Sequence, residues 1–232
     1  MIEIGGMPII WHIMKWYGHF GFNDFIICAG YKQELIKDWF ANYFIHRSDI
    51  TFDFQKNDII VHSKRIEPWK VTVVDTGLDT MTGGRVRRVA DYIGDETFML
   101  TYGDGVGNVD LKALLAFHES RGHKATITGV IPEGRFGIMD INGDTINSFR
   151  EKSRDDMGWI NGGFMVLEPS VLEYIKDDSF MLEKEPLETL AAEGQLDCYR
   201  HDGFWQCMDT MRDKDRLEKM WQSGDAPWKC WI

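Results

Sequence analysis

The stretch Phe98-Met-Leu-Thr-Tyr-Gly-Asp-Gly-Val106 carries an apolar run into a carboxylate, Asp104, held between Gly103 and Gly105. A hard carboxylate suits Mg2+, which takes oxygen ligands and usually arrives with phosphates. In open parallel sheets, ligands gather outside the carboxyl ends of the strands. The flanking glycines leave the backbone bare for a bulky ligand. A plainer reading is a Gly-Asp-Gly turn that only links one element to the next. The run is not a dinucleotide-binding fingerprint, because Asn108 stands where the third glycine belongs.

Four further groups have residue types that could do chemistry. Thr82-Gly83-Gly84, followed by Arg85, Arg87 and Arg88, offers bare N–H groups at the positive end of a helix. Such a turn can hold a phosphate or read a base edge. It can equally be a helix capped by Thr82 with solvated arginines. Glu151 beside Lys152 can bind a sugar hydroxyl and a phosphate, or form a solvated strand edge. Asn161-Gly162-Gly163 is an odd start for the apolar strand Phe164–Leu167 unless something polar packs on it. Asp209 follows the aromatic stretch 204–208 and is either a ligand or a helix cap.

The elements that must position these groups alternate. Apolar residues at Ile9, Ile10, Ile13, Met14 and Tyr17, after Pro8, predict a helix. A strand over 24–30, a helix over 32–44 and a strand over 70–77 follow. A helix over 83–94, a strand over 97–105, a helix over 109–122 and a strand over 124–131 come next. This order predicts an α/β fold in three layers, a mostly parallel sheet with helices on both faces. Residues 137–149 read as a β-hairpin turning at Asn142-Gly143. Four of the nine tryptophans fall in 203–232, which predicts a docked C-terminal helical tail.

Composition narrows the function. The net charge of -11 argues against non-specific nucleic-acid binding, which needs a basic footprint. Cys28, Cys198, Cys207 and Cys230 form no CxxC pair and no zinc spacing. The first residues do not read as a signal peptide, and no apolar run is long enough to span a membrane. A cytoplasmic protein without membrane or nucleic-acid partners is expected.

Taken in order, IGGMPIIWHIMK, TGGRVRRV, YGDGV, RFG, REK, INGGF and FWQCMDT resemble the sugar-1-phosphate nucleotidylyltransferases over essentially all 232 residues. The stretches ANYF, EPWKVTVVDTG, MTGGR, PEGRFG, GFWQCMDT and APWK resemble the members that use CTP and glucose 1-phosphate. The resemblance implies a Rossmann-like nucleotidyltransferase fold and transfer of a cytidylyl group to glucose 1-phosphate. It implies that Asp104 and Asp209 hold Mg2+ and that Lys152 contacts the sugar phosphate, the three forming the catalytic set. Thr82, Gly83, Gly84, Arg85 and Gly103 are then expected beside the nucleotide. Glu151, Asn161 and Gly162 are expected beside the sugar. A homo-oligomer is also implied. In the family pattern a strand, a GGxGTR loop and a Lys-Pro-x-Pro segment precede the point where these residues begin. The expectation is one nucleotidyltransferase domain over 1–232, shortened at its N-terminus, with 132–232 as its sugar-binding half and tail. The strand of that preceding segment is expected between the strands at 24–30 and 97–105.

Overall fold

A computed structural model describes residues 1–64, 67–132, 137–142, 145–151 and 158–231. The chain opens with β1 (Glu3–Ile4), β2 (Met7–Pro8), α1 (Ile9–His19), β3 (Asp24–Ala29) and α2 (Gln33–His46). It continues through β4 (Ser48–Asp53), β5 (Asp58–Lys64), β6 (Lys70–Asp75), α3 (Thr82–Arg88) and α4 (Ala90–Ile93). Then come β7 (Phe98–Leu100), β8 (Gly105–Gly107), α5 (Leu111–Arg121) and β9 (Ala125–Val130). β10 (Gly137–Asn142), β11 (Thr145–Glu151), β12 (Ile160–Asn161) and β13 (Met165–Leu167) follow. A 3-10 turn at Pro169–Tyr174, α6 (Glu185–Ala192), β14 (Leu196–His201), β15 (Trp205–Cys207) and α7 (Met211–Ser223) complete it.

Two ladders are parallel, β3 with β6 and β9 with β14. β13 lies between β7 and β9 and runs antiparallel to both, so β7, β9 and β14 share one direction. The sheet is mixed at β13 and at β12, which also runs antiparallel to β9. No ladder joins the β3–β6 pair to the five-stranded sheet among the described residues. No described helix is long and apolar enough to cross a membrane.

The apolar spacing read for the first helix holds, and α1 buries Ile9, Trp11, His12, Ile13, Met14, Trp16 and Tyr17. The helix expected over 83–94 is two short helices, because Val89 (φ -102°, ψ 10°) leaves helical geometry between them. The hairpin at β10–β11 forms, but Asn142 pairs with Thr145 and belongs to the strand rather than to the turn. The β4–β5 hairpin was not legible in the pattern. Phe52, Phe54, Ile59 and Ile60 are exposed there, so no buried face imposes an alternation of apolar and polar residues.

Two apolar clusters support the sheet. One joins α1 to Val106, Val109, Leu111, Leu114, Phe164 and the C-terminal Leu217 and Trp228. The other joins Ala125, Met165 and Leu167 to Val86, Leu182, Leu187 and Leu190. The tail is docked as expected, for Trp228 is fully buried and stacks on Phe204 with ring centroids 5.5 Å apart.

Candidate functional site

Asp104 and Asp209 come to the same end of a strand pair because β8 pairs antiparallel with β15. Gly105 lies opposite Cys207, and the Met208 amide donates to the Asp104 carbonyl at 2.8 Å. The two carboxylates therefore leave neighbouring strand ends from positions far apart in the chain. Burial raises the pKa of Asp104 above its ordinary 3.8, and the charge of Asp209 pushes the same way. Asp104 remains exposed as a residue, so solvent still reaches it.

Asp209 is not a helix cap. Thr210 takes that role for α7: its hydroxyl accepts from the Asp213 amide at 3.2 Å, and Asp213 accepts from the Thr210 amide at 3.0 Å. Asp209 stands one residue outside this capping box and accepts a hydrogen bond from the Cys207 thiol at 3.2 Å. No group of three or more His, Cys, Asp or Glu side chains suited to a metal occurs among the described residues. Two exposed carboxylates suit a hard divalent cation that keeps several waters and binds substrate phosphates.

The glycines flanking Asp104 differ. A Cβ on Gly103 would meet nothing within 4 Å, so space is open there. Gly105 is buried in β8.

The turn at 82–85 is built into the fold. Thr82 is the first helical residue, not its cap. Its hydroxyl donates to Glu183 Oε2 at 2.5 Å and accepts from the Leu182 amide at 2.9 Å. Gly83 and Gly84 are bare because the segment 178–182 lies on them. A Cβ on Gly84 would stand 2.6 Å from Asp178 Cα, and one on Gly83 would stand 2.8 Å from the Phe180 carbonyl oxygen. Arg85 donates from Nη1 to Thr76 Oγ1 at 2.7 Å and to the Gly77 carbonyl at 2.9 Å, and from Nη2 to the Leu78 carbonyl at 3.2 Å. These acceptors lie just past the carboxyl end of β6. Arg85 thus carries a positive charge there, held by carbonyl and hydroxyl oxygens.

Arg88 pairs with Asp178, and Arg87 donates to the Lys176 carbonyl.

Asn161 ends β12. Its Nδ2 donates to the Tyr102 hydroxyl at 3.0 Å, and its Oδ1 accepts from the Gly163 amide at 2.9 Å. Gly162 has no room for a side chain, since a Cβ would come 2.7 Å from Val130 Cγ1, and its carbonyl accepts from Trp205 Nε1 at 2.7 Å. Glu151 closes β11 opposite Gly137. Lys152 lies outside the described residues.

Sequence reasoning missed the pairing of Tyr102 with Glu183. The Tyr102 hydroxyl donates to Glu183 Oε1 at 2.7 Å. Tyr102 precedes the Gly-Asp-Gly run and could have been noticed. Glu183 sits among ordinary acidic residues, and nothing local marks it. The Thr210-x-x-Asp213 spacing was a readable capping signal.

Comparison with known proteins agrees with this architecture. The nucleotidyl transferase family model matches residues 1–210. The glucose-1-phosphate cytidylyltransferase of Salmonella typhimurium is 56% identical over 232 residues, covering 100% of this chain and 90% of that protein. A probable glucose-1-phosphate cytidylyltransferase of Bacillus subtilis is 44% identical over 229 residues, covering 98% and 89%. Among solved structures, HddC from Yersinia pseudotuberculosis matches with TM-score 0.69 and 21% identity over 95% of this chain and 88% of its own. A UDP-glucose pyrophosphorylase with bound UDP-glucose matches with TM-score 0.66 and 15% identity over 97% and 90%. The two structural matches speak for the fold alone. The strand pairing that joins Asp104 to Asp209 thus sits within a match running through most of the chain, and the chain belongs to the nucleotidyl transferase family.

Proposed function

We propose that this enzyme transfers a cytidylyl group from CTP to α-D-glucose 1-phosphate, giving CDP-glucose and pyrophosphate. The observation that carries the choice of substrates is the 56% identity, over the whole chain, to a glucose-1-phosphate cytidylyltransferase. In the reaction, an oxygen of the sugar phosphate attacks the α-phosphorus of CTP in line. The bond to the β-phosphate breaks, and pyrophosphate leaves with the electron pair. No covalent enzyme intermediate is required, so the chain's work is positioning and charge neutralisation.

Asp104 and Asp209 are the residues that would hold Mg2+. When bound, the cation supplies neutralisation of phosphate charge. Burial first, and the charge of Asp209 second, raise the pKa of Asp104; the second contribution supports the assignment, because a dication relieves repulsion between the two carboxylates. Gly103 leaves space beside them. Thr82, Gly83, Gly84 and Arg85 are assigned to the nucleotide side, with the Arg85 charge at the strand end as support. Lys152 is assigned to the sugar phosphate, and Glu151, Asn161 and Gly162 to the sugar, on the family resemblance. The same resemblance leads us to assign a homo-oligomeric, cytoplasmic enzyme with one nucleotidyltransferase domain, its sugar-binding half in 132–232.

The test is pyrophosphate release from CTP, UTP, dTTP and GTP, each with glucose 1-phosphate, with Mg2+ and with EDTA. CTP with Mg2+ is expected to be the preferred combination. Equal or better turnover with another nucleotide overturns the cytidylyl assignment. CDP-glucose binding without any turnover makes the protein a binding subunit instead.

A further inference from the structure

A single polar chain runs from α3 to the end of β12. Thr82 Oγ1 donates to Glu183 Oε2 at 2.5 Å, and the Tyr102 hydroxyl donates to Glu183 Oε1 at 2.7 Å. Asn161 Nδ2 donates to the Tyr102 oxygen at 3.0 Å. One carboxylate therefore accepts from a hydroxyl on α3 and from a hydroxyl just past β7, at positions 82 and 102. Every member of the chain is at least partly buried. Glu183 itself follows Leu182, whose amide donates to the Thr82 hydroxyl at 2.9 Å, so Thr82 is gripped from both sides.

The carboxylate has work that a neutral residue cannot do. It accepts only, so both hydroxyl protons must point toward it. That leaves the Tyr102 oxygen with lone pairs facing Asn161, which in turn orients the Asn161 amide with Nδ2 toward the ring. The Asn161 Oδ1 then faces the Gly163 amide at 2.9 Å. Donor direction is thereby set from Glu183 outward through three residues. Glu183 also raises the proton affinity of the Tyr102 hydroxyl, after burial, which keeps Tyr102 a donor.

We propose that Glu183 is a positioning residue that couples the nucleotide side of the site, at Thr82, to the sugar side, at Asn161. The inference rests on the reading above, in which those two residues belong to the two substrates. Coupling of this kind travels through contiguous hydrogen-bonded groups and shows up as non-additivity between neighbours.

The experiment measures kcat and the separate KM values for CTP and glucose 1-phosphate. The full chain is compared with Glu183→Gln, Tyr102→Phe and the double variant, with melting curves for each. Glu183→Gln keeps the shape but replaces one acceptor oxygen by a donor, so it cannot accept from both hydroxyls. It is expected to raise both KM values about tenfold, the factor that corresponds to ~1.4 kcal/mol. Tyr102→Phe cuts the chain on the sugar side and is expected to raise the KM for glucose 1-phosphate alone. In that background, Glu183→Gln is expected to raise only the KM for CTP. Additive effects on the sugar KM in the double variant overturn the coupling, as does an unchanged sugar KM in Glu183→Gln. If Glu183→Gln does not melt cooperatively, Thr82→Val replaces it in the same cycle. Its effect on the sugar KM is expected to vanish in the Tyr102→Phe background, and persistence overturns the coupling. Wild-type protein that turns over a different nucleotide or sugar phosphate fails the functional reading itself, a result visible before any variant is compared.

Discussion

Asp104 and Asp209 are like charges brought to neighbouring strand ends, and that arrangement costs the folded protein something when both are ionised. The sign follows from Asp104. Its folded pKa is raised, so the folded state holds this proton more tightly than the unfolded chain does. The stability it contributes is full below the ordinary carboxylate pKa of 3.8 and is lost as pH rises through the raised folded value. At neutral pH the ionised Asp104 is a cost to the fold, from burial first and from the Asp209 charge second, and a bound dication offsets the second part. Asp104→Asn is therefore expected to melt slightly above wild type at pH 7 in EDTA. The same variant should lose turnover by about a thousandfold, since metal-assisted charge stabilisation is worth several kcal/mol. Calorimetry in EDTA and pyrophosphate release in Mg2+ read the two effects separately. A lower melting point or near-normal turnover would remove Asp104 from the metal site. The residue types at 104 and 209 were readable as ligands or as turn and cap. Their coming together was implied only by the family resemblance and not by local pattern, because it depends on pairing between β8 and β15 across about a hundred residues. Arg85 was readable as a cation, but local sequence does not reveal the carbonyls past β6 that hold it.

At the level of elements, the close contacts of α3 and the capping of α7 decide how well the site is held. A side chain at Gly84 would run into the Asp178 backbone first and then into the Thr80 methyl, and the backbone atoms cannot swing aside. Gly84→Ala must push α3 away from 178–182, a form of overpacking that typically costs about 1–3 kcal/mol. It is expected to lower the melting temperature and raise the KM for CTP, because Arg85 rides on the same helix. An unchanged melting temperature would show that the 178–182 segment yields freely. Thr210→Ala removes the capping box of α7 and is expected to cost about 1 kcal/mol by chemical denaturation. Because Asp209 is its neighbour, a weaker apparent Mg2+ affinity should accompany the loss; a stability loss alone would show that Asp209 is placed by β15 and not by the cap. The main strands and helices were legible from their apolar periods, for example α1 and β9. The antiparallel insertion of β13 between β7 and β9 was not, since strand direction leaves no mark on a short buried run such as Met165–Leu167. The break at Val89 was equally hidden, because Val89 itself is buried and keeps the apolar spacing.

Across the whole molecule, the C-terminal tail closes onto the first helix through a polar contact buried inside an aromatic cluster. His12 and Trp228 are both fully buried. His12 Nε2 lies 2.8 Å from the Ile4 carbonyl, so that nitrogen carries the proton and donates. Nδ1 is then the acceptor, and Trp228 Nε1 donates to it at 3.3 Å. Trp11, Trp221 and Trp231 surround the imidazole edge or face. The tryptophan-rich tail was legible in composition, but its attachment to a histidine more than two hundred residues earlier was not. Protonating His12 would place a second donor against the Trp228 N–H inside an apolar cluster. Burial accordingly lowers its pKa from the ordinary 6.5, against the opposing backbone bonds to Ile4 and Met7 and the charge of Glu218. The lowered folded value means that the unfolded chain binds this proton more readily. Stability is then full above 6.5 and falls as pH drops through 6.5 toward the folded value, by at most ~1.4 kcal/mol per pH unit. Urea denaturation of wild type from pH 7.5 to 5 should show this loss, and His12→Gln should show a flatter dependence over the same range. Trp228→Phe should lose stability at pH 7.5, where its hydrogen bond is missing, yet also depend less on pH because the opposing N–H is gone. Identical pH slopes in all three proteins would mean that the tail is held by apolar packing alone and that His12 is a bystander in the docking.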